Sequence, residues 1–364
     1  MKTLFSVNSV YQLMMAINMR MHNIPQGEVD IVVSDHTASL HDYLQNLKDS
    51  KLFSNVYYHE SLKFNNYFWA LKTDDEKSDA YADSKNKIAE TESISKINFD
   101  SYTDIYLANI DAYFKFVRNT YPHLSFTVFE DGAGTCAVNW KEKSKRWDFI
   151  ENFNTVYDEI KGLYIYSPEL MCVELGWPIH VLPKIDNGNK KVVAVFNKIF
   201  GFDPKSITLP QVVFAEQAFQ VDRIKNNDMD FIQATYDIVG FDNLYVKTHP
   251  RNTVNRPFQQ GLTKQFDIKI PFELLLLNCD TKNTIFVTVS SGSLISPWVI
   301  FDQQITTIFL YQAIKGDINL PTVDKFKMYL DKLVEKYACK NLYIPKSLSE
   351  YKHVLKYLTN SERN

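Results

Sequence analysis

Residues 129–136, FEDGAGTC, set two carboxylates, Glu130 and Asp131, against a Gly132-x-Gly134 step directly after the apolar run LSFTVF. A carboxylate held at such a strand end can act as general base toward a hydroxyl. A surface turn is the plainer alternative, because Asp and Gly are common turn residues. Two further stretches carry comparable chemistry. YVKTHPRN gathers Lys247, His249 and Arg251 around Pro250, which biases His249 toward extended backbone. An imidazole among cations suits a phosphate oxygen; the alternative is a solvated turn. VSSGSLISPW puts Ser290, Ser291 and Gly292 where an apolar run gives way to a predicted helix. Hydroxyls and free N–H groups at a helix start receive anions, although an ordinary N-cap uses the same residues. No Gly-Lys-Ser/Thr follows, so this is not a Walker loop. A base on one side and a phosphate grip on the other would serve transfer from a phosphate-activated donor.

Short apolar runs alternating with helical patterns must position these corners. TLFSV, VDIVVS, FSNVYY, DIYLAN and LSFTVF form the first series, and QVVFA, NLYVKT, TIFVTV and ITTIFLY the second. Strands alternating with helices predict parallel sheets covered on both faces, with ligands beyond the carboxyl ends of the strands. The expected organisation is an N-terminal Rossmann-like, acceptor-side domain over 1–155, carrying a mobile, partly helical insertion at 60–103. A linker comes next over 156–190, then a nucleotide-sugar domain over 191–345 and a C-terminal helix over 346–364. The two sheets are expected to face each other across a cleft. A helix is expected from about Gln220 to Tyr236.

The bulk composition narrows the function classes. The 364 residues exceed the usual size of one core. A formal net charge of -3 argues against a dedicated nucleic-acid binder. Cys136, Cys172, Cys279 and Cys339 form no C-x-x-C pair, so neither a zinc site nor a disulfide framework is predicted. The opening segment reads as a strand and an amphipathic helix, and no run is long enough to cross a bilayer. A cytoplasmic location is expected, with peripheral membrane attachment and a homodimer left open. Asp228-Met-Asp230 has the Asp-x-Asp form of metal-dependent transferases, but within a predicted helix it reads as a solvated face, and no metal or cofactor is assigned. NNYFWALK reads as core or hinge before sugar-stacking, Tyr164, Tyr166 and Trp177 are weak candidates for a cleft floor, and His180 reads as packed.

FEDGAG, KTHPR and VSSGS, in this order, together with NSVYQLMMAINMRM and DIYLAN, resemble the motifs of bacterial sialyltransferases and most of all glycosyltransferase family 52. The resemblance implies a GT-B fold and CMP-N-acetylneuraminic acid as donor. It also implies a galactose-terminated glycan of capsule or lipooligosaccharide as acceptor, and inversion without a metal. It assigns Asp131 as base with Glu130 beside it, and His249, Ser290 and Ser291 to the donor phosphate. Gly292, Lys247, Pro250, Arg251, Glu216 and Gln217 accompany them on the donor side, and Gly132 and Asn8 fall on the acceptor side. Glu216-Gln217-Ala218 departs from the family pattern, which leaves the roles of Glu216 and Glu130 open. A polysialyltransferase, another nucleotide-sugar transferase and a non-catalytic binding protein remain as alternatives.

Overall fold

The computed structural model describes residues 2–204, 207–249, 251–252, 254–264, 271–318 and 323–361. The chain divides into two compact units: Met1–Ile185 with Ala194–Phe202, and Asp186–Val193 with Asp203–Asn364.

The first unit is built on seven parallel strands in the order β3-β2-β1-β4-β5-β6-β7. They are β1 (Lys2–Val7), β2 (Glu28–Ser34), β3 (Val56–His59), β4 (Asp104–Leu107), β5 (Ser125–Phe129), β6 (Ile160–Ile165) and β7 (Ile179–Val181). Strands buried on both faces read as continuous apolar runs, which is why β1, β2, β4 and β5 stand out in the sequence. Ser9 caps α1 (Val10–Met21), its hydroxyl accepting from the Gln12 N–H. Asp111 caps the helix Ala112–Thr120 in the same way through the Phe114 N–H.

Three expectations for this unit are corrected. The span 156–190 is not simply a linker, because β6 and β7 extend the sheet beyond β5. Gly162 and the short IHV run of β7 conceal this, since β7 is an exposed edge with little apolar patterning. The 60–103 insertion is packed rather than loose. It forms α2 (Ser61–Ala70), α3 (Asp74–Ala82) and α4 (Ser84–Ser95), and it buries Phe64, Phe68, Tyr81 and Ile88. Each such large apolar side chain contributes about 1.5–3 kcal/mol when fully buried. His180 is also not packed inside: it lies exposed on β7, stacked on Tyr164 at 4.8 Å.

The second unit is built on five parallel strands in the order β12-β11-β10-β8-β9. They are β8 (Val212–Ala215), β9 (Leu244–Lys247), β10 (Ile285–Thr288), β11 (Thr306–Phe309) and β12 (Leu342–Tyr343). Val212, Phe214, Val246, Val287 and Ile308 form its core with Phe231, Tyr351 and Leu355. The helix expected from Gln220 instead spans Asp228–Val239, because turns through 223 and a bridge between Asn226 and Gly316 occupy the intervening chain. A C-terminal helix spans Leu348–Ser361 and packs into this unit, with Tyr351 bonded to Thr235 at 2.6 Å.

Candidate active site

In the first unit the acidic corner leaves β5, which lies between β4 and β6. Glu130 is 2% exposed, and its two oxygens point into the protein. One accepts from the Tyr11 hydroxyl at 3.3 Å and the other from the Tyr166 N–H at 2.9 Å. Burial pushes its carboxyl up to about 7, against the pull of those two donors. Asp131 is only half-buried. Its Oδ2 accepts from Asn109 Nδ2 at 2.8 Å, and the Gln12 side chain supplies a second hydrogen bond. Gln12 is oriented in turn, since its Oε1 accepts from the Asn8 N–H at 2.7 Å, leaving its Nε2 to face the carboxylate. Burial raises the Asp131 carboxyl above its usual range while the two amides pull it back. The Asp131 N–H donates to the Thr135 hydroxyl at 2.8 Å, which fastens the corner to the short helix Ala133–Ala137.

Gly132 adopts φ 73°, ψ −160°. That region is essentially restricted to glycine, so the glycine sets the direction in which Asp131 leaves the strand. Asn8 stands at the carboxyl end of β1, where its carbonyl accepts from the Thr37 hydroxyl and its own amide oxygen is buried without a partner among the described residues.

In the second unit the remaining candidates gather at the carboxyl ends of three adjacent strands, β10, β8 and β9. The register sets Ala215 opposite both Thr288 and Lys247, so Glu216 follows directly on β8, and Ser290 and His249 stand two residues beyond the registered positions of β10 and β9. Glu216 is 5% exposed and pushed up to about 7 by burial. Its carboxylate accepts from the His249 N–H and lies 3.5 Å from Asn252 Nδ2. Gln217 Nε2 reaches the Thr288 hydroxyl at 3.4 Å. His249 Nδ1 accepts from the Arg251 N–H at 3.1 Å, which leaves Nε2 as the protonated nitrogen of the neutral ring. Burial, with Arg251 and Lys247 nearby, lowers its pKa to about 4.

The three basic residues do not act as one cluster. Arg251 is held in a two-point pair with Asp222, at 2.9 and 3.0 Å. Lys247 is buried near buried Glu273, whose proton affinity burial raises and Lys247 pulls back only in part. Pro250 lies outside the described residues. The serine stretch differs from the expected helix start. Ser291 caps a single tight turn, Gly292–Leu294, before the five-residue helix Ser296–Ile300, so little helix dipole stands behind it. The Ser291 and Ser293 hydroxyls lie 2.7 Å apart, and Ser290 is buried. A Cβ built at Gly292 meets no atom within 4 Å. Neither crowding nor a left-handed backbone therefore demands a glycine there.

Asp228 is corrected from a solvated face. It is buried at the start of its helix and paired with Arg256 at 3.0 Å. Among the described residues no three His, Cys, Asp or Glu side chains group closely enough to hold a metal, and no helix is long and apolar enough to cross a membrane. Reasoning from sequence missed Gln12, Asn109, Tyr11 and Asn252, and it offered Tyr166 only as a weak candidate for a cleft floor, not as the partner of Glu130. The signal for two of them was present: Gln12 lies one turn into the first helix, and Asn109 closes the DIYLAN stretch, two residues past the end of β4.

The sequence model of the alpha-2,8-polysialyltransferases matches residues 3–312, across both units and every candidate residue above. The chain belongs to this family. The resemblance to sialyltransferases is thereby borne out, and the transferase is a glycosyltransferase. Nothing among curated proteins matches its sequence. Among solved structures, Arabidopsis thaliana UGT89C1 is 12% identical, with the whole of this chain matched to 90% of that one at a TM-score of 0.54. S. aureus MnaA, in a UDP co-structure, is 10% identical over the whole of this chain and 88% of that one, at a TM-score of 0.53. A sialyltransferase from Photobacterium damsela is 12% identical over 94% of this chain and 81% of that one, at 0.48. At these identities the likeness concerns fold, and the transferase has the GT-B fold expected from its two parallel-sheet units.

Proposed function

We propose that the transferase moves N-acetylneuraminic acid from CMP-sialic acid to a hydroxyl of a surface glycan, with inversion and without a metal. Asp131 takes the proton of the attacking hydroxyl. The bond from the anomeric carbon to the phosphate oxygen breaks as the new glycosidic bond forms, and cytidine monophosphate leaves with the bonding electrons. His249, through its Nε2–H, and the Ser290 and Ser291 hydroxyls stabilise the charge that grows on that phosphate. Gly292, with open space at its α-carbon, lets the donor approach the backbone. Lys247, Arg251 and Gln217 complete the donor side, with Asn8 and Gly132 on the acceptor side.

The observation that carries this reading is the holding of Asp131. Asp131 is partly exposed as a residue, and its carboxylate, with raised proton affinity, is clamped by two amides. Glu130 has both oxygens engaged internally and is read as a positioning residue, as is Glu216 beneath the His249 turn. A galactose-terminated glycan is the proposed acceptor. The family match favours a second reading, extension of a sialic acid polymer. A panel comparing CMP-sialic acid with UDP-sugars, each with galactoside and sialoside acceptors, tests the proposal. Transfer from CMP-sialic acid alone is expected, and transfer only from UDP-sugars would refute it.

A further inference from the structure

His59 closes β3, an outermost strand of the first sheet. It is 5% exposed, and its Nε2 is buried without a hydrogen-bond partner among the described residues. The ring packs against Tyr113 at 4.3 Å. Burial lowers its pKa to about 4, so near neutral pH it carries one N–H and one bare nitrogen. A recess of about 200 Å³ lies beside this ring, lined by Phe64 and Tyr67 of α2 and by Thr91 of α4. Its cations are already paired: Lys63 meets Glu60 at 2.8 Å, and Lys87 meets Glu90 at 3.7 Å. Lys87 also stands over the Tyr67 ring at 5.7 Å. The recess is separate from the acidic corner. Strands β2, β1 and β4 lie between β3 and β5, which at roughly 4.8 Å per strand is about 19 Å.

We propose that this recess binds a small, uncharged aromatic molecule bearing a hydroxyl, with the hydroxyl bonded to His59 and the ring packed on Phe64 and Tyr67. Size, charge and hydrogen bonding each select that class. A dry cavity of about 150 Å³ holds one benzene ring, so this recess has room for one ring and its substituents. Aromatic walls favour an aromatic guest, by stacked or edge-on contact. Each lysine of the rim already faces a glutamate, so a charged guest would have to break an ion pair to find a partner. Buried polar atoms are regularly hydrogen-bonded, and the His59 Nε2 is an exception. A hydroxyl both donates and accepts, and therefore serves either tautomer of the ring. The occupant would tie α2 to α4. This site stands apart from the transferase reading, because none of its residues belongs to the proposed base or phosphate grip.

The test uses the full chain, with phenol as the probe. Calorimetric titration is expected to show saturable binding of phenol, with toluene about tenfold weaker because it cannot bond the imidazole. Benzoate, which brings a charge, is expected to bind more weakly than phenol. Phenol is also expected to slow amide exchange within α2 and α4 and to leave β5 unchanged. His59→Phe keeps a ring and is expected to erase the preference for phenol over toluene. Tyr67→Ala, at a side chain that is exposed in part, is expected to weaken phenol about tenfold with the melting temperature kept. If His59→Phe does not fold, the wild-type contrast between phenol and toluene decides alone. No saturable binding of phenol, equal affinity for phenol and toluene, tighter binding of benzoate, or protection only outside α2 and α4 overturns the proposal. So does a folded His59→Phe that still prefers phenol.

Discussion

Asn109 Nδ2 donates to Asp131 Oδ2 at 2.8 Å, joining the carboxyl ends of two neighbouring strands of the first sheet. The amide lowers a proton affinity that burial has raised. Asn109→Ala removes the donor, so the Asp131 carboxyl rises further. The acid limb of the pH–rate profile for transfer is expected to move to higher pH, with a smaller change in the rate on the plateau. A profile superimposable on wild type would show that Asn109 does not tune the carboxylate.

His249 bears its proton on Nε2 and stays neutral above about pH 5, because its pKa is held near 4. His249→Ala is expected to reduce kcat/KM about a hundred to a thousandfold, the usual cost of one preorganised donor. The wild-type pH profile should show no histidine titration near pH 6.5. Steady-state kinetics over pH 5–8 checks both.

Gly292→Ala is expected to leave the melting temperature within a degree or two of wild type, since the added methyl meets open space. It should raise the donor KM about tenfold, by standing where the phosphate approaches the backbone. Loss of stability without change in donor KM would assign the glycine to folding.

Glu130 ionises near pH 7 in the folded protein, against an ordinary value of 4.5. Between those values the unfolded chain has lost a proton that the folded one keeps. This group's contribution to stability is therefore full at low pH and is lost as pH rises through about 4.5 to 7. Glu130→Gln removes that penalty. Its stability relative to wild type is expected to improve steadily across the window in urea unfolding at stepped pH. A constant difference would place the glutamate's proton affinity at its ordinary value.

Much of the fold was legible because buried parallel strands announce themselves as apolar runs and because Ser9 and Asp111 cap their helices by local chemistry. The three corners were legible for the same reason, each standing directly after such a run. The features hidden from the sequence depend on neighbours distant along the chain. Tyr166 becomes a partner of Glu130 only because β6 joins β5, and β6 lay within the expected linker. Asp228 looked solvated because nothing local predicts Arg256 beside it. Arg251 looked free for a phosphate because its two-point pair with Asp222 spans a turn that the sequence presented as helix.

The central claim is that Asp131 is the base for sialic acid transfer. The direct measurement is transfer by purified, folded Asp131→Asn, which keeps size and amide contacts but cannot take a proton. A loss of about a hundred to ten-thousand-fold in transfer, with the melting temperature preserved, is the predicted result. Wild-type transfer by that variant would contradict it.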